Sequence, residues 1–184
     1  MAEARRSDSR RNRARVLAAA SEVFGHHGAA ASTEEVAALA GVGIATVFRH
    51  FPTKQALLEA VLQDKLDRMV GEAREIIAGG RPDGFFALFE LFLAGAREKR
   101  VVGDLLTHAG EGFRSSNEAG VAELWSSFST LLRRGQEAGR VRPDVDLEDV
   151  QALLAGAHQA LQSFGGDPVR EQRLWDVLSD GLRR

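Results

Sequence analysis

Between Ser32 and Lys54 the chain reads STEEVAALAGVGIATVFRHFPTK, and its punctuation leaves little freedom in how it folds. Ser32 followed three residues later by Glu35 is a capping box, in which a hydroxyl and a carboxylate each take a backbone amide at a helix start. Val36, Leu39 and Ala40 recur at helical spacing and are expected to form the inner face of that helix. Gly41 ends it, because the turn needs a left-handed residue and glycine has no Cβ to clash there. A second short helix is expected over about 44–50, with Val47 and Phe51 pointing inward. Pro52 stops it, since proline disfavours helix at the residue before it and has no amide to donate. Thr53 then caps a longer helix.

The rest of the chain also reads as helix. Tyrosine is absent and β-branched residues rarely alternate with polar ones, so no strand is expected. A first helix is expected over about 10–27, with Val16, Ala20, Val23, Phe24 and His27 on one face. Further helices are expected from Thr53 to about 78, over about 83–99 and 121–138, from an Asp146 cap to 164, and from Pro168 to 182. A glycine-containing segment over about 102–113 is expected to be irregular. The fold class is therefore all-α with about nine helices. It divides into an N-terminal arm and helix-turn-helix over 1–54 and a larger helical part over 55–184.

Two short helices at a glycine turn have the shape of a helix-turn-helix DNA reader. The second helix of such a unit meets base edges with its first residues, so it must be short, held from behind by apolar groups, and small where the backbone approaches DNA. Gly43, Ile44, Ala45 and Thr46 meet that need. Ile44 or Ala45 can touch a thymine methyl, and Arg49 can read a guanine or bind phosphate. Thr46, His50 and Lys54 are expected at phosphates. Charge agrees. Residues 1–54 carry eight Lys/Arg against five Asp/Glu, and residues 55–184 sixteen against twenty-one, which places a cationic head on an acidic body. Arg5, Arg6, Arg10, Arg11, Arg13 and Arg15 are expected to supplement the grip, as a flexible arm reaching a minor groove or phosphates.

The segment is more specific than that general shape. Ser32, Val36-Ala37, Ala40-Gly41-Val42, Thr46-Val47-Phe48-Arg49-His50-Phe51, Lys54 and Leu57-Leu58 together resemble the DNA-binding domain of TetR-family transcriptional regulators, over about residues 10–62. The resemblance implies a three-helix DNA-binding head on an all-helical body that binds a ligand and dimerises. It implies a phosphate contact at Ser32 or Thr33, base-facing Ile44, Ala45 and Arg49, and phosphate-facing Thr46, His50 and Lys54. The family usually carries tyrosine where this chain has Phe48 and often serine where it has Gly43, so two hydroxyls are missing. A neutral hydrogen bond contributes about 0.5–1.5 kcal/mol net, so their loss weakens the grip without abolishing it.

In the larger part the resemblance implies a pocket for a small hydrophobic or aromatic effector. Phe86, Phe89, His108, Phe113, Trp125, Phe128 and His158 are its candidate lining. An aromatic stripe at helical spacing is usually a plain core, and that reading stands beside the pocket. The last two helices combine small residues with leucines, and Leu153, Ala157, Leu161, Trp175 and Leu178 are the candidate interface of a two-fold homodimer. Burial within one chain is the alternative.

The function expected is a ligand-responsive transcriptional regulator, a repressor. It would bind palindromic double-stranded operator DNA as a homodimer and be released by its effector. The alternative is a helical small-molecule binding protein or enzyme whose head no longer reads DNA. Against an enzyme, there is no Glu-x-x-His pair, no cysteine and no serine-centred catalytic motif. The five histidines lack metal-ligand spacing, so neither metal nor cofactor is expected. The N-terminus lacks the apolar core of a signal peptide and no run of about 18 apolar residues occurs, so a cytoplasmic protein is expected.

Overall fold

The structure, a computed structural model, describes residues 2–27, 31–97 and 117–184. Among them are eight α-helices: α1 Ala2–His27, α2 Thr33–Ala40, α3 Ile44–His50, α4 Lys54–Gly79, α5 Gly84–Arg97, α6 Glu118–Glu137, α7 Leu147–Phe164 and α8 Pro168–Leu182. The segment expected to be irregular over 102–113, with His108 and Phe113, lies outside the described residues. The helices form two compact units, Met1–Asp64 and Lys65–Arg184, and α4 contributes its first part to one and the remainder to the other.

In the smaller unit α1 packs on α2 and α3. Val16, Leu17, Ala19, Ala20, Val23 and Phe24 line its buried face, and Val36, Ala37, Ala40, Val47, Phe51, Leu57 and Val61 are buried in the same unit. Three expectations need correction. The N-terminal arginines lie on a helix that starts at Ala2, not in a flexible arm. Their stretch, residues 2–15, holds neither glycine nor proline and has three alanines and six arginines, good helix formers. Asp8 and Arg11 add an ion pair one turn apart. His27 is exposed rather than inward. Leu39 is 51% exposed, and the inner face of α2 is Thr33, Val36, Ala37 and Ala40, the i, i+3, i+4, i+7 set that one docked face selects.

The larger unit is organised around α5, which packs against α6 and α7, while α8 packs on α7. Phe85, Leu88, Phe89 and Phe92 of α5 are each at most 1% exposed. The phenylalanine rings fall in two groups: Phe85 meets Phe86 and Phe89, and Phe89 meets Trp175, while Phe92 meets Trp125 and Phe128. Gly135 on α6 permits a close approach, since a Cβ there would lie 2.7 Å from Val141 Cγ2. Val141 in turn forms an antiparallel bridge with Arg183. The Arg142 amide donates to Leu182 O at 3.0 Å, and the Arg183 guanidinium lies 4.5 Å over the Phe86 ring. The chain end is thus fastened to the α6–α7 connection. Asp146 caps α7 in a capping box with Asp149, as expected.

Arg74 of α4 makes a bidentate pair with Glu123 of α6. Arg142 pairs in the same way with Asp144, and this hydrogen bonding holds the Asp144 carboxyl down to about 2. Arg81 and Arg74 likewise lower Asp83 and Glu123. A carboxylate lowered in the folded state favours folding above its ordinary range, and that contribution disappears as pH falls through the folded value. For Asp144 the window runs from about pH 4 down to about pH 2. Urea midpoints should therefore fall across this window, and Asp144→Asn should show a shallower decline. Both groups of the pair are exposed, so the effect at neutral pH is small.

Candidate nucleic-acid interface

The capping box at α2 is present in full. The Ser32 hydroxyl accepts from the Glu35 amide at 3.1 Å, and the Glu35 carboxylate accepts from the Ser32 amide at 3.1 Å. Gly41 follows with φ 61° and ψ 40°, and the amides of Gly41 and Val42 donate to Ala38 O and Ala37 O. This left-handed turn sends the chain into α3, which starts at Ile44 with extended Gly43 before it. Thr46 N donates to Gly43 O at 2.8 Å, and the Phe51 amide closes the helix on Val47 O at 2.9 Å. The Thr53 hydroxyl then accepts from the Ala56 amide at 3.0 Å and starts α4.

Consecutive helical residues turn by about 100°, which decides what each side of α3 presents. Val47 is 1% and Phe51 4% exposed, and these two anchor the helix to the unit. Ile44, Ala45, Phe48 and Arg49 span an arc roughly 140° wide beside these anchors, and all are exposed. Thr46 and His50 lie on the flank, partly exposed, and Lys54 is exposed at the start of α4. Gly43 is exposed, with no atom near the position its Cβ would take. Ser32 is half-buried, whereas Thr33 is buried with its hydroxyl donating to the Glu34 carboxylate.

The exposed face is mixed in chemistry. Among the described residues of this unit, Ile44 at 37%, Phe48 at 42% and, on α2, Leu39 at 51% are the large apolar groups that stay in solvent. Arg49 supplies the face with a fork of hydrogen-bond donors, and Thr46, His50 and Lys54 flank it with groups that can donate to phosphate. An apolar strip bordered by cationic and hydroxyl donors suits a surface of base edges and methyl groups lined by anions.

Two contacts were not visible in the sequence. Arg13 of α1 lays its guanidinium over the Phe51 ring, 5.1 Å from the centroid. Arg15 Nη2 approaches Gly41 O at 3.5 Å across 26 residues of chain. Helical spacing along α1 carries no signal for partners so far away in the chain.

In the larger unit Phe86, Phe89, Phe128 and His158 are buried and Trp125 is half-buried. The aromatic members of this set pack on one another or on the rings beside them. Of the residues considered for a dimer interface, Ala157 and Leu161 are buried within the unit, and half-buried Trp175 packs on Phe89 at 6.0 Å. Leu153 and Leu178, by contrast, line an open groove of about 480 Å³ between α7 and α8, beside Ala152 and Val177. Among the described residues no group of three or more acidic or histidine side chains is placed to hold a metal, and no helix is long and apolar enough to cross a membrane.

Known proteins share both units. Residues 16–61 match the family described as bacterial regulatory proteins, tetR family. Residues 82–184 match the C-terminal domain of SbtR-like transcriptional regulators. The crystal structure of a TetR transcription regulatory protein from Mycobacterium vanbaalenii is 35% identical, with 97% of this chain and 99% of that one covered and a TM-score of 0.72. That of the regulator SCO0520 from Streptomyces coelicolor is 30% identical over 93% of this chain and 98% of that one, with a TM-score of 0.69. The HTH-type transcriptional repressor KstR2 of Rhodococcus jostii (strain RHA1) is 28% identical over 92% of this chain and 90% of its own.

Proposed function

This chain belongs to the TetR family of bacterial regulatory proteins, and on that premise we propose that it is a repressor that binds palindromic operator DNA as a homodimer and releases it when a small hydrophobic effector binds. It is a transcriptional regulator and not an enzyme. The observation that carries the reading is the exposed face of α3, where Ile44, Ala45, Phe48 and Arg49 stand away from a helix anchored by Val47 and Phe51. In the proposal Ile44, Ala45 and Arg49 meet base edges. Ser32, Thr46, His50 and Lys54 meet phosphates, and Gly43 and Phe48 allow close approach without the hydroxyls common in the family. Thr33 is buried and takes the lesser share of the phosphate contact.

Dimerisation is proposed through α7 and α8, with Leu153 and Leu178 at the centre because they line the open groove. The effector site is proposed beside the aromatic cluster of α5 and α6. The signal is expected to pass along α4, the helix the two units share. A place in the cytoplasm follows from a DNA target.

Selection from a pool of random duplexes, with sedimentation of the same protein, tests the proposal. Enrichment of a palindrome by a dimer is the expected result. Leu178→Asp should sediment as a monomer and bind the selected duplex at least tenfold more weakly, because a carboxylate would be desolvated in the interface. A dimer that persists in Leu178→Asp places the interface elsewhere. A wild-type chain that enriches no duplex at low salt favours a small-molecule binding protein with a silent head.

A further inference from the structure

We infer that Arg13 and Arg15 are positioning residues of the DNA reader, through which α1 holds α3 at both ends, and that they do not touch phosphate. The inference rests on the DNA-reading role proposed above. The seven-residue α3 is too short to hold itself, has no side-chain cap at its start, and buries Val47 alone. Its aim is therefore set by what grips its two ends. At the far end Phe51 caps the helix, and the Arg13 guanidinium lies over the ring. At the near end Arg15 approaches the carbonyl of Gly41, the left-handed residue that redirects the chain. A Cβ at Gly41 would lie 2.7 Å from the same Arg15 nitrogen, so the guanidinium occupies the space the glycine leaves. The two arginines stand two residues apart on one helix and bracket the whole of α3.

A flat guanidinium suits the Arg13 contact, because it can stack on a ring face while its edge stays hydrated. Bracing and phosphate binding make opposite predictions. Removing a side chain that binds phosphate weakens binding to every sequence alike, and lowers the slope of log affinity against log salt by about 0.9 for each phosphate no longer neutralised. Removing a brace leaves the slope alone and weakens binding to the correct sequence more than to others, because base readout needs the aim of α3.

The test uses the full chain, the duplex that wild type selects from a random pool, and a scrambled duplex. Affinities are measured across a salt series for wild type, Arg13→Ala, Arg13→Lys, Arg15→Ala, Phe51→Leu and Arg13→Ala with Phe51→Leu. Thermal unfolding is recorded alongside. Each alanine variant should lower the ratio of selected to scrambled affinity about twofold to fivefold with the salt slope unchanged. Arg13→Ala should have no further effect once Phe51 is leucine. Arg13→Lys should also lower the ratio, since it keeps the charge and loses the flat stack. A shallower slope with a constant ratio, an Arg13→Lys protein that behaves as wild type, or an Arg13→Ala effect that is equal in both backgrounds overturns the inference while DNA reading stands. A wild-type chain that selects no duplex overturns both.

Discussion

Ala45→Glu is expected to leave the protein folded and to weaken binding to its selected duplex at least about a hundredfold. Ala45 is exposed on α3 and is not among the apolar groups that anchor the helix, so a longer side chain there points to solvent. Glutamate is a good helix former and costs the short helix little. On the exposed face it would meet phosphates and base acceptors with a negative charge. Like charges brought together at an interface cost several kcal/mol, and each 1.4 kcal/mol or so is tenfold in affinity. Ala45→Gln has the same size and no charge, and should lose no more than about tenfold. Fluorescence anisotropy on a labelled duplex reads both variants, and circular dichroism melting checks that they fold. An Ala45→Glu protein that binds within tenfold of wild type places the DNA contact on another surface.

Phe89→Ala should cost about 3–5 kcal/mol, the range for removing a buried aromatic ring from a packed core. Phe89 is fully buried on α5, 5.9 Å from the Phe85 ring and 6.0 Å from the Trp175 ring. A domain of this size is stable by only about 5–15 kcal/mol, so one substitution would remove a large share. Phe48→Ala is the internal contrast. That ring is 42% exposed, and its loss should stay within about 0.5 kcal/mol. Urea unfolding followed by tryptophan fluorescence measures both, with Trp175 beside the cavity as reporter. A Phe89→Ala loss of under about 1 kcal/mol would mean that the ring borders a space able to collapse. That outcome would shift Phe89 from core toward the effector pocket.

The two readings of the aromatic stripe show where periodicity stops being informative. Helical spacing places Phe85, Phe86, Phe89 and Phe92 on α5, but it says nothing about what stands opposite them. The structure places their neighbours: Trp125 and Phe128 come from α6 and Trp175 from α8. The same limit explains Leu39. On an eight-residue helix an apolar residue fits more than one face of the wheel, and the docking of α1 selects Val36, Ala37 and Ala40. It also explains the N-terminal arginines. Their composition reads as a solvated arm, while helix propensity and the Asp8–Arg11 pair carry α1 back to Ala2.

The turn from Ser32 to Thr53 was legible because every signal in it is local. A capping box, a left-handed glycine and a proline stop each act within about four residues, the reach of one helical turn. Their atoms sit where the residue types demand: Ser32 on the Glu35 amide, Gly41 at positive φ, and Thr53 on the Ala56 amide. Contacts that join distant parts of the chain carry no such mark. The bridge between Val141 and Arg183, the approach of Arg15 to Gly41 and the guanidinium of Arg13 on Phe51 depend on how helices dock. The sequence by itself determined that this chain is helical, where its short helices begin and end, and that one of them is shaped to read DNA. Its inward residues, Val47 and Phe51, were legible as well; tertiary packing alone decided what holds that helix from α1, because backbone capping is settled between near neighbours and contacts between helices only between surfaces that have met.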